Sequence, residues 1–256
     1  MSEPWDHILT SVGYKDQETF ELSADQIKAC KSTWTGPKNQ FEPRLLCYQT
    51  SANVRPEVFK RHNLYILPIK NGTYLLCKTN TYMPLDYTAQ LSAPIVVKRD
   101  QTSVMLSIGS SETSLIDNMR YSGIFERPEI LGEQLTHGPL LNGRHRITTE
   151  FTLGPQTISV SGVQYETDSC YESKNSILII EGKSSQKPID SFNIRQLYFP
   201  YREALRLLQS NKQTKQILCL FIHELNSIIH VWVYEFSNPK SFDSITLKGH
   251  YLYQFH

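Results

Sequence analysis

The alternation of apolar and polar positions is weak at the start of the chain and sharpens toward its end. Residues 1–22 are mostly polar and carry no clear period. Ser23 is a good N-capping residue, and Ser23–Lys31 predicts a short helix that Thr35-Gly-Pro-Lys-Asn39 breaks. Arg44–Tyr48 predicts a strand, and Arg55–Asn63 a short helix with Pro56 near its first turn. Leu64–Ile69 and Thr73–Cys77 flank Lys70-Asn-Gly72, and Asn-Gly between two apolar runs predicts a hairpin. Ala93–Lys98 and Ser103–Ile108 predict further strands.

From Ser110 the order of elements becomes informative. Ser111–Gly123 predicts a helix that opens on capping residues and stops at glycine. After an irregular Pro/Gly stretch, Arg146–Leu153 alternates as a strand, Gly154-Pro155 makes a turn, and Thr157–Glu166 is the next strand. Its apolar parity changes from Ile158/Val160 to Val163/Tyr165 around Gly162, which predicts a β-bulge there. Ser176–Ser184 is a third strand, dry through Ile177-Leu-Ile-Ile180 and ending in Glu181-Gly-Lys183. A helix is predicted from Ser191 to about Gln209, with a kink or break at Pro200. Gln216–His223 and Ile228–Phe236 are the last two strands. The resulting order, α-β-β-β-α-β-β, predicts an α/β (α+β) fold with a mixed sheet flanked by helices. A boundary near 110 would separate an N-terminal α/β region, 1–110, from a core at 111–256, or the whole forms one domain.

Composition narrows the setting. A chain of 256 residues buries a sizeable core. No apolar run approaches the roughly 20 residues of a membrane span, and the N-terminus has no basic segment followed by an apolar one, so the chain reads as cytoplasmic. The five cysteines, Cys30, Cys47, Cys77, Cys170 and Cys219, show no paired spacing, which argues against a zinc ribbon and a disulfide framework. Cys47, Cys77 and Cys219 read as buried thiols. The net charge of +1 leaves nucleic-acid binding dependent on local basic faces.

The candidate chemistry lies at the ends of the second and third core strands. Residues two apart in a strand share a face, so Glu181 and Lys183 point the same way. A second strand that reached Asp168 would align Gln164, Glu166 and Asp168. With adjacent strands about 4.8 Å apart, Asp168 and Glu181 could then reach one cation. Carboxylate oxygens suit Mg²⁺, with Mn²⁺ as a substitute, and Lys183 would orient water or stabilise charge on phosphorus. Glu166 is a further acid, either on a second ion or behind the first. In the helix that follows, Arg195, Arg202 and Arg206 form one stripe suited to a phosphate backbone. Ile194, Leu197, Tyr201, Leu205 and Leu208 form the opposing apolar stripe, and Tyr198 and Tyr201 read as packing residues. Gln196 could reach back to a bound water or a phosphate. A lone Glu-X-Lys occurs by chance on solvated strands. The dry strand before it and the acid upstream set this one apart.

Asp168 followed by Glu181-Gly-Lys183 in an α-β-β-β-α-β order resembles the PD-(D/E)xK nuclease superfamily. The phrases Gln164-Tyr-Glu-Thr-Asp168 and Phe192-Asn-Ile-Arg-Gln-Leu-Tyr-Phe-Pro-Tyr201, with Glu42-Pro-Arg-Leu-Leu46 and Leu64–Ile69, resemble type II restriction endonucleases. Thr167 stands where a proline often precedes the first acid. The resemblance implies a restriction-endonuclease-like core that hydrolyses phosphodiester bonds in double-stranded DNA at a short site, with Mg²⁺, as a homodimer. It also implies catalytic roles for Asp168, Glu181, Lys183, Glu166 and Gln196, with Asp168 and Glu181 on the metal. Base reading would then fall to strand 44–78 and the loops around 79–145, with the N-terminal region 1–110 as the DNA-recognition part and Arg55, Lys98, Arg99, Arg144 and Arg146 as candidates for base or phosphate contact. The alternatives are a repair or junction-resolving nuclease of the same fold and a non-catalytic DNA-binding module. Paired carboxylates also serve glycoside hydrolysis, which Lys183 and the basic helix face disfavour.

Overall fold

The computed structural model describes residues 4–37, 41–88, 93–100, 102, 111–141, 143–184 and 187–256. The N-terminal part holds α1 (Pro4–Ser11), β1 (Thr19–Ser23), α2 (Ala24–Cys30), α3 (Pro43–Leu46) and α4 (Glu57–Arg61), then β2 (Tyr65–Lys70), β3 (Thr73–Cys77) and β4 (Tyr82–Pro84). Next come β5 (Ile95–Val97), α5 (Glu112–Tyr121), β6 (Leu135–Leu140), β7 (Gly143–Leu153), β8 (Gln156–Thr167), β9 (Ser169–Ser173) and β10 (Ser176–Ser184). The chain ends with β11 (Ser191–Asn193), α6 (Arg195–Ser210), β12 (Gln216–Leu225), β13 (Ile228–Phe236) and β14 (Ile245–Phe255). The fold is mixed α/β, with helices few among the described residues and strands gathered into sheets of five, seven and two. No helix among the described residues is long and apolar enough to cross a membrane.

The chain divides into two compact units, each discontinuous in sequence. The first comprises Met1–Leu85, Arg146–Gln164 and Asp190–Ile194. Its five-stranded sheet runs β1-β3-β2-β8-β7. Gly72, at φ +70°, makes the tight turn of the β2–β3 hairpin, where a positive φ favours glycine. Helix α2 starts on a capping box, Ser23 accepting from the Gln26 N–H while the Gln26 side chain accepts from Ser23. Trp5, Ile8, Leu22, Ile27, Phe59 and Leu76 belong to the core of this unit. Parity in β8 changes at Gly162, whose φ is +61°: Ile158 and Val160 are buried before it, Val163 and Tyr165 after it.

The second unit comprises Asp86–His145, Tyr165–Ile189 and Arg195–His256. Its seven-stranded sheet runs β5-β14-β13-β12-β10-β9-β6. β10 lies parallel to β12 and antiparallel to β9, and β9 antiparallel to β6. Leu178 and Ile180 of β10, with Leu218, Leu220 and Ile222 of β12, bury one face against Leu115, Ile116 and Met119 of α5. The other face belongs to α6, where Tyr198 and Tyr201 pack on Phe236. A strand covered on both faces reads as a continuous apolar run, which accounts for Ile177–Ile180.

Several expectations change. Residues 44–48 do not form a strand: Pro43 starts the helical turn α3, with Glu42 as its N-cap. The weakly patterned N-terminus holds α1 and β1, whose Trp5, Ile8, Leu9 and Leu22 are buried. The 157–166 strand is not the neighbour of 176–184; β9 takes that place, and β8 pairs with β2. α6 begins at Arg195, after β11, and runs through Pro200 without a break. The strand predicted at 103–108 lies outside the described residues. All five cysteines are free thiols; Cys77 and Cys219 are buried, whereas Cys47 is half-buried.

Candidate active site

The site is built at the C-terminal end of β10, in the second unit. The period of the strand puts Glu181 and Lys183 on the α6 face, where Lys183 Nζ donates to Glu181 Oε1 at 2.6 Å. Glu181 is nearly enclosed, its side chain 7% exposed. Gly182 faces α5. A Cβ there would sit 3.2 Å from Ile116 Cδ1 and 3.7 Å from Glu112 Cβ. The glycine therefore lets the first turn of α5 lie against the strand. That turn is held by Ser111, whose Oγ accepts the Ser114 N–H at 3.1 Å.

This close approach brings Glu112 into the site. Its Oε1 lies 3.7 Å from Lys183 Nζ and accepts the Ser184 N–H at 3.4 Å. Asp168 occupies the bend between β8 and β9, where its Oδ2 accepts the Gly182 N–H at 2.8 Å and lies 4.0 Å from Lys183 Nζ. Lys183 also donates to the Gly182 carbonyl at 2.8 Å. From α6, the Gln196 amide nitrogen donates to Glu181 Oε1. The Gln196 amide oxygen is buried and has no hydrogen-bond partner.

Four of the residues singled out in the sequence, Asp168, Glu181, Lys183 and Gln196, thus meet at one place. Glu166 is directed elsewhere: it is exposed and pairs with Arg144 at 2.9 Å. Strand β8 ends at Thr167 and the chain bends at Asp168, so the alternation that would have aligned Glu166 with Asp168 stops between them. Of the arginine stripe, Arg202 donates to the Tyr198 hydroxyl at 3.0 Å, Arg206 pairs with Glu203 at 2.6 Å, and Arg195 is half-buried at the start of α6. Arg146 donates to the Gly162 carbonyl, and Arg99 lies over the Phe255 ring. Glu112 was not foreseen. Its sequence signal was an acid in the first turn of a capped helix, which says nothing about the strand that helix packs on.

Residues 77–254, more than half of the chain, match a family described as Domain of unknown function (DUF6997). The chain belongs to this family. Residues 2–76 match a second family, described as Domain of unknown function (DUF6996). No curated protein and no solved structure matches the chain. Glu112, Asp168, Glu181, Lys183 and Gln196 all fall inside the DUF6997 segment.

Electrostatics in the DUF6997 site set the protonation of its two central groups. Burial raises the Glu181 carboxyl to about 7; Lys183 pulls it down, while Asp168 and Glu112 push it up. Burial opposes the charge on Lys183, but Glu181, Asp168 and Glu112 outweigh it and hold the ammonium protonated well beyond the usual lysine range. Lys183 therefore stands in this arrangement as a charged donor.

Among the described residues no group of three or more His, Cys, Asp or Glu side chains is arranged to hold a metal ion. The acids around β10 converge on the Lys183 ammonium instead. The donor chemistry nonetheless fits a hard divalent cation. Asp168 and Glu181 offer carboxylate oxygens, Glu112 stands beside them, and the unpartnered Gln196 amide oxygen adds a neutral one. No sulfur or imidazole from the described residues takes part in these contacts, so the set is unlike a zinc site.

Proposed function

We propose that this chain is a Mg²⁺-dependent endonuclease of the PD-(D/E)xK type that cuts double-stranded DNA at a short specific sequence. The observation that carries the reading is the meeting of Asp168, Glu181 and Glu112 around Lys183 at the end of β10. The setting supports it. Within the second unit the elements run α5-β6-β9-β10-α6-β12, and β6, β9, β10 and β12 are successive neighbours in one sheet. This order resembles the α-β-β-β-α-β core of that superfamily, with β6 and β9 in the roles that the sequence pattern gave to 146–153 and 157–166.

Hydrolysis requires a water to attack phosphorus while the bond to the leaving sugar oxygen breaks. Charge builds on the non-bridging oxygens, and a preorganised donor is worth most there. Lys183 is such a donor: the carboxylates around it fix its position and keep it protonated. The amide oxygen of Gln196 can accept a hydrogen bond from the attacking water and so orient it. Glu112 helps hold Lys183 and Ser184 in place. A divalent cation held by Asp168 and Glu181, with Mn²⁺ able to replace Mg²⁺, would polarise the phosphoryl oxygen and acidify its bound water.

Digestion of several unrelated plasmids, with Mg²⁺ and with EDTA, tests the reading. Discrete and reproducible fragments with Mg²⁺, and none with EDTA, are expected. Cleavage confined to branched or damaged substrates would assign the site to a repair or junction-resolving nuclease. No cleavage of any substrate would end the enzymatic reading.

A further inference from the structure

The end of β10 that carries the site runs past one of its two neighbours. β9 pairs with β10 only from Ile177 to Ile180, whereas β12 stays in register with it through Ser184. Among the described residues, Glu181, Gly182 and Lys183 therefore have a strand partner on one side alone. On the open side the Gly182 N–H goes to Asp168 and the Ser184 N–H to Glu112. The carboxylates hold Lys183 Nζ relative to this strand end, so the aim of the ammonium depends on how firmly the strand end itself is mounted.

His223 is the β12 residue in register with Lys183. Ladder partners share a face of the sheet, so the imidazole stands beside the lysine on the α6 face, where it is fully buried. Its Nδ1 lies 2.7 Å from the Tyr87 hydroxyl, and the same hydroxyl accepts the Ile189 N–H at 3.1 Å. Ile189 lies where the chain runs on from β10 toward α6. One hydroxyl thus joins β12 to the chain beyond Lys183. Tyr87 is itself fastened. Its ring meets those of His230 and Trp232 edge-on at 4.8 Å and 5.1 Å, and the Trp232 indole N–H donates to the Asp86 carbonyl at 3.4 Å. Asp86 closes the turn, its Oδ1 accepting from both the N–H and the hydroxyl of Thr88 at 2.7 Å. Irregular chain is so built onto the sheet face, with its tyrosine oxygen directed at the two groups that bracket the end of β10.

We infer that Tyr87 and His223 are positioning residues for the Lys183 site. The Tyr87 hydroxyl accepts from Ile189 and donates its one proton to His223 Nδ1. This pins the exit of β10 to β12 and keeps the Lys183 ammonium on the phosphate. The pair acts through Lys183, so its loss weakens the stabilisation of charge that builds during the reaction and leaves DNA binding in the ground state alone. The inference rests on the nuclease reading and adds what holds its donor in place.

The test follows plasmid cleavage in Mg²⁺ by the full chain over a range of plasmid concentrations, with thermal melting of every variant. Tyr87→Phe keeps the ring and deletes the hydroxyl; it should lower the maximal rate roughly tenfold or more, with KM changed by less than about twofold. His223→Leu should do the same. His223→Asn, whose amide offers an acceptor near the place of Nδ1, should recover the rate to within about threefold of wild type. If His223→Leu does not fold, Tyr87→Phe decides. Tyr87→Phe cutting at the wild-type rate would overturn the inference, while the wild-type cleavage leaves the nuclease reading standing. A higher KM at unchanged maximal rate would also overturn it, by assigning the pair to binding. So would a His223→Asn that cuts no faster than His223→Leu, by assigning the pair to packing. A wild-type chain that cuts no plasmid would remove the nuclease reading and this inference together.

Discussion

Lys183 stands at the meeting point of a strand, a bend and two helices, and its neighbours set its charge. Because the carboxylates around it outweigh the cost of burial, it stays protonated across the neutral range. Lys183→Ala should therefore cost about a hundredfold or more in cleavage rate, and, because Lys183 pulls the Glu181 carboxyl down, should move the rise of rate to higher pH. Rates across a pH series check this. Glu181 shows the opposite side of the arrangement. Its folded pKa of about 7 lies above the ordinary 4.5, so the folded state binds this proton more readily than the unfolded chain. The stabilisation is fully present below about pH 4.5 and is lost as pH rises through about 7. Glu181→Gln removes that loss. Raising the pH from about 4.5 to about 8 should therefore cost the parent more stability than the variant, and the variant should cut no DNA. Thermal melts at several pH values, set beside a cleavage assay, measure both. A variant that loses as much stability as the parent over that pH range would contradict the burial argument.

At the scale of elements, the contact that assembles the site is the one between β10 and α5. Gly182 permits it, because an added Cβ would press on Ile116 Cδ1 at 3.2 Å. Gly182→Ala should cost about 1–2 kcal/mol through overpacking, and Ile116→Val, which deletes the offending carbon, should recover part of that cost. Urea titration of both single variants and the double gives the coupling; purely additive effects would refute the steric account. Much at this scale was legible beforehand. Strand period alone puts Glu181 and Lys183 on one face, and a parity change marks Gly162. Asn71-Gly72 announces the first hairpin, and Ser111 the start of α5. What escaped was pairing. Ser169–Ser173 is short and polar at both ends, so β9 hides between two longer runs, and nothing local tells β8 to join β2 instead of β10. Glu112 escaped for the same reason: its helix was readable, and the strand that helix leans on was not.

For the molecule as a whole, the family match covers the unit that carries the site, and the function proposed here belongs to its chemistry. The first unit was the harder part to read. Trp5, Ile8 and Leu9 are buried in a segment whose polar neighbours mask them, and Pro43 turns an apparent strand into α3. If the chain binds duplex DNA and cuts it at β10, binding and cleavage should separate by mutation. Asp168→Asn should keep its affinity for duplex DNA, read by fluorescence anisotropy, and lose cutting.

The most direct measurement is Mg²⁺-dependent plasmid cleavage, with mapped ends, by the wild-type chain beside Asp168→Asn and Lys183→Ala, all shown to be folded by circular dichroism. The account predicts fixed cut positions for wild type, none in EDTA, no cutting by Asp168→Asn and cutting slowed about a hundredfold or more by Lys183→Ala. Cleavage by the variants at the wild-type rate would show that the chemistry lies elsewhere, and a wild-type chain that cuts nothing in Mg²⁺ or Mn²⁺ would contradict the account outright.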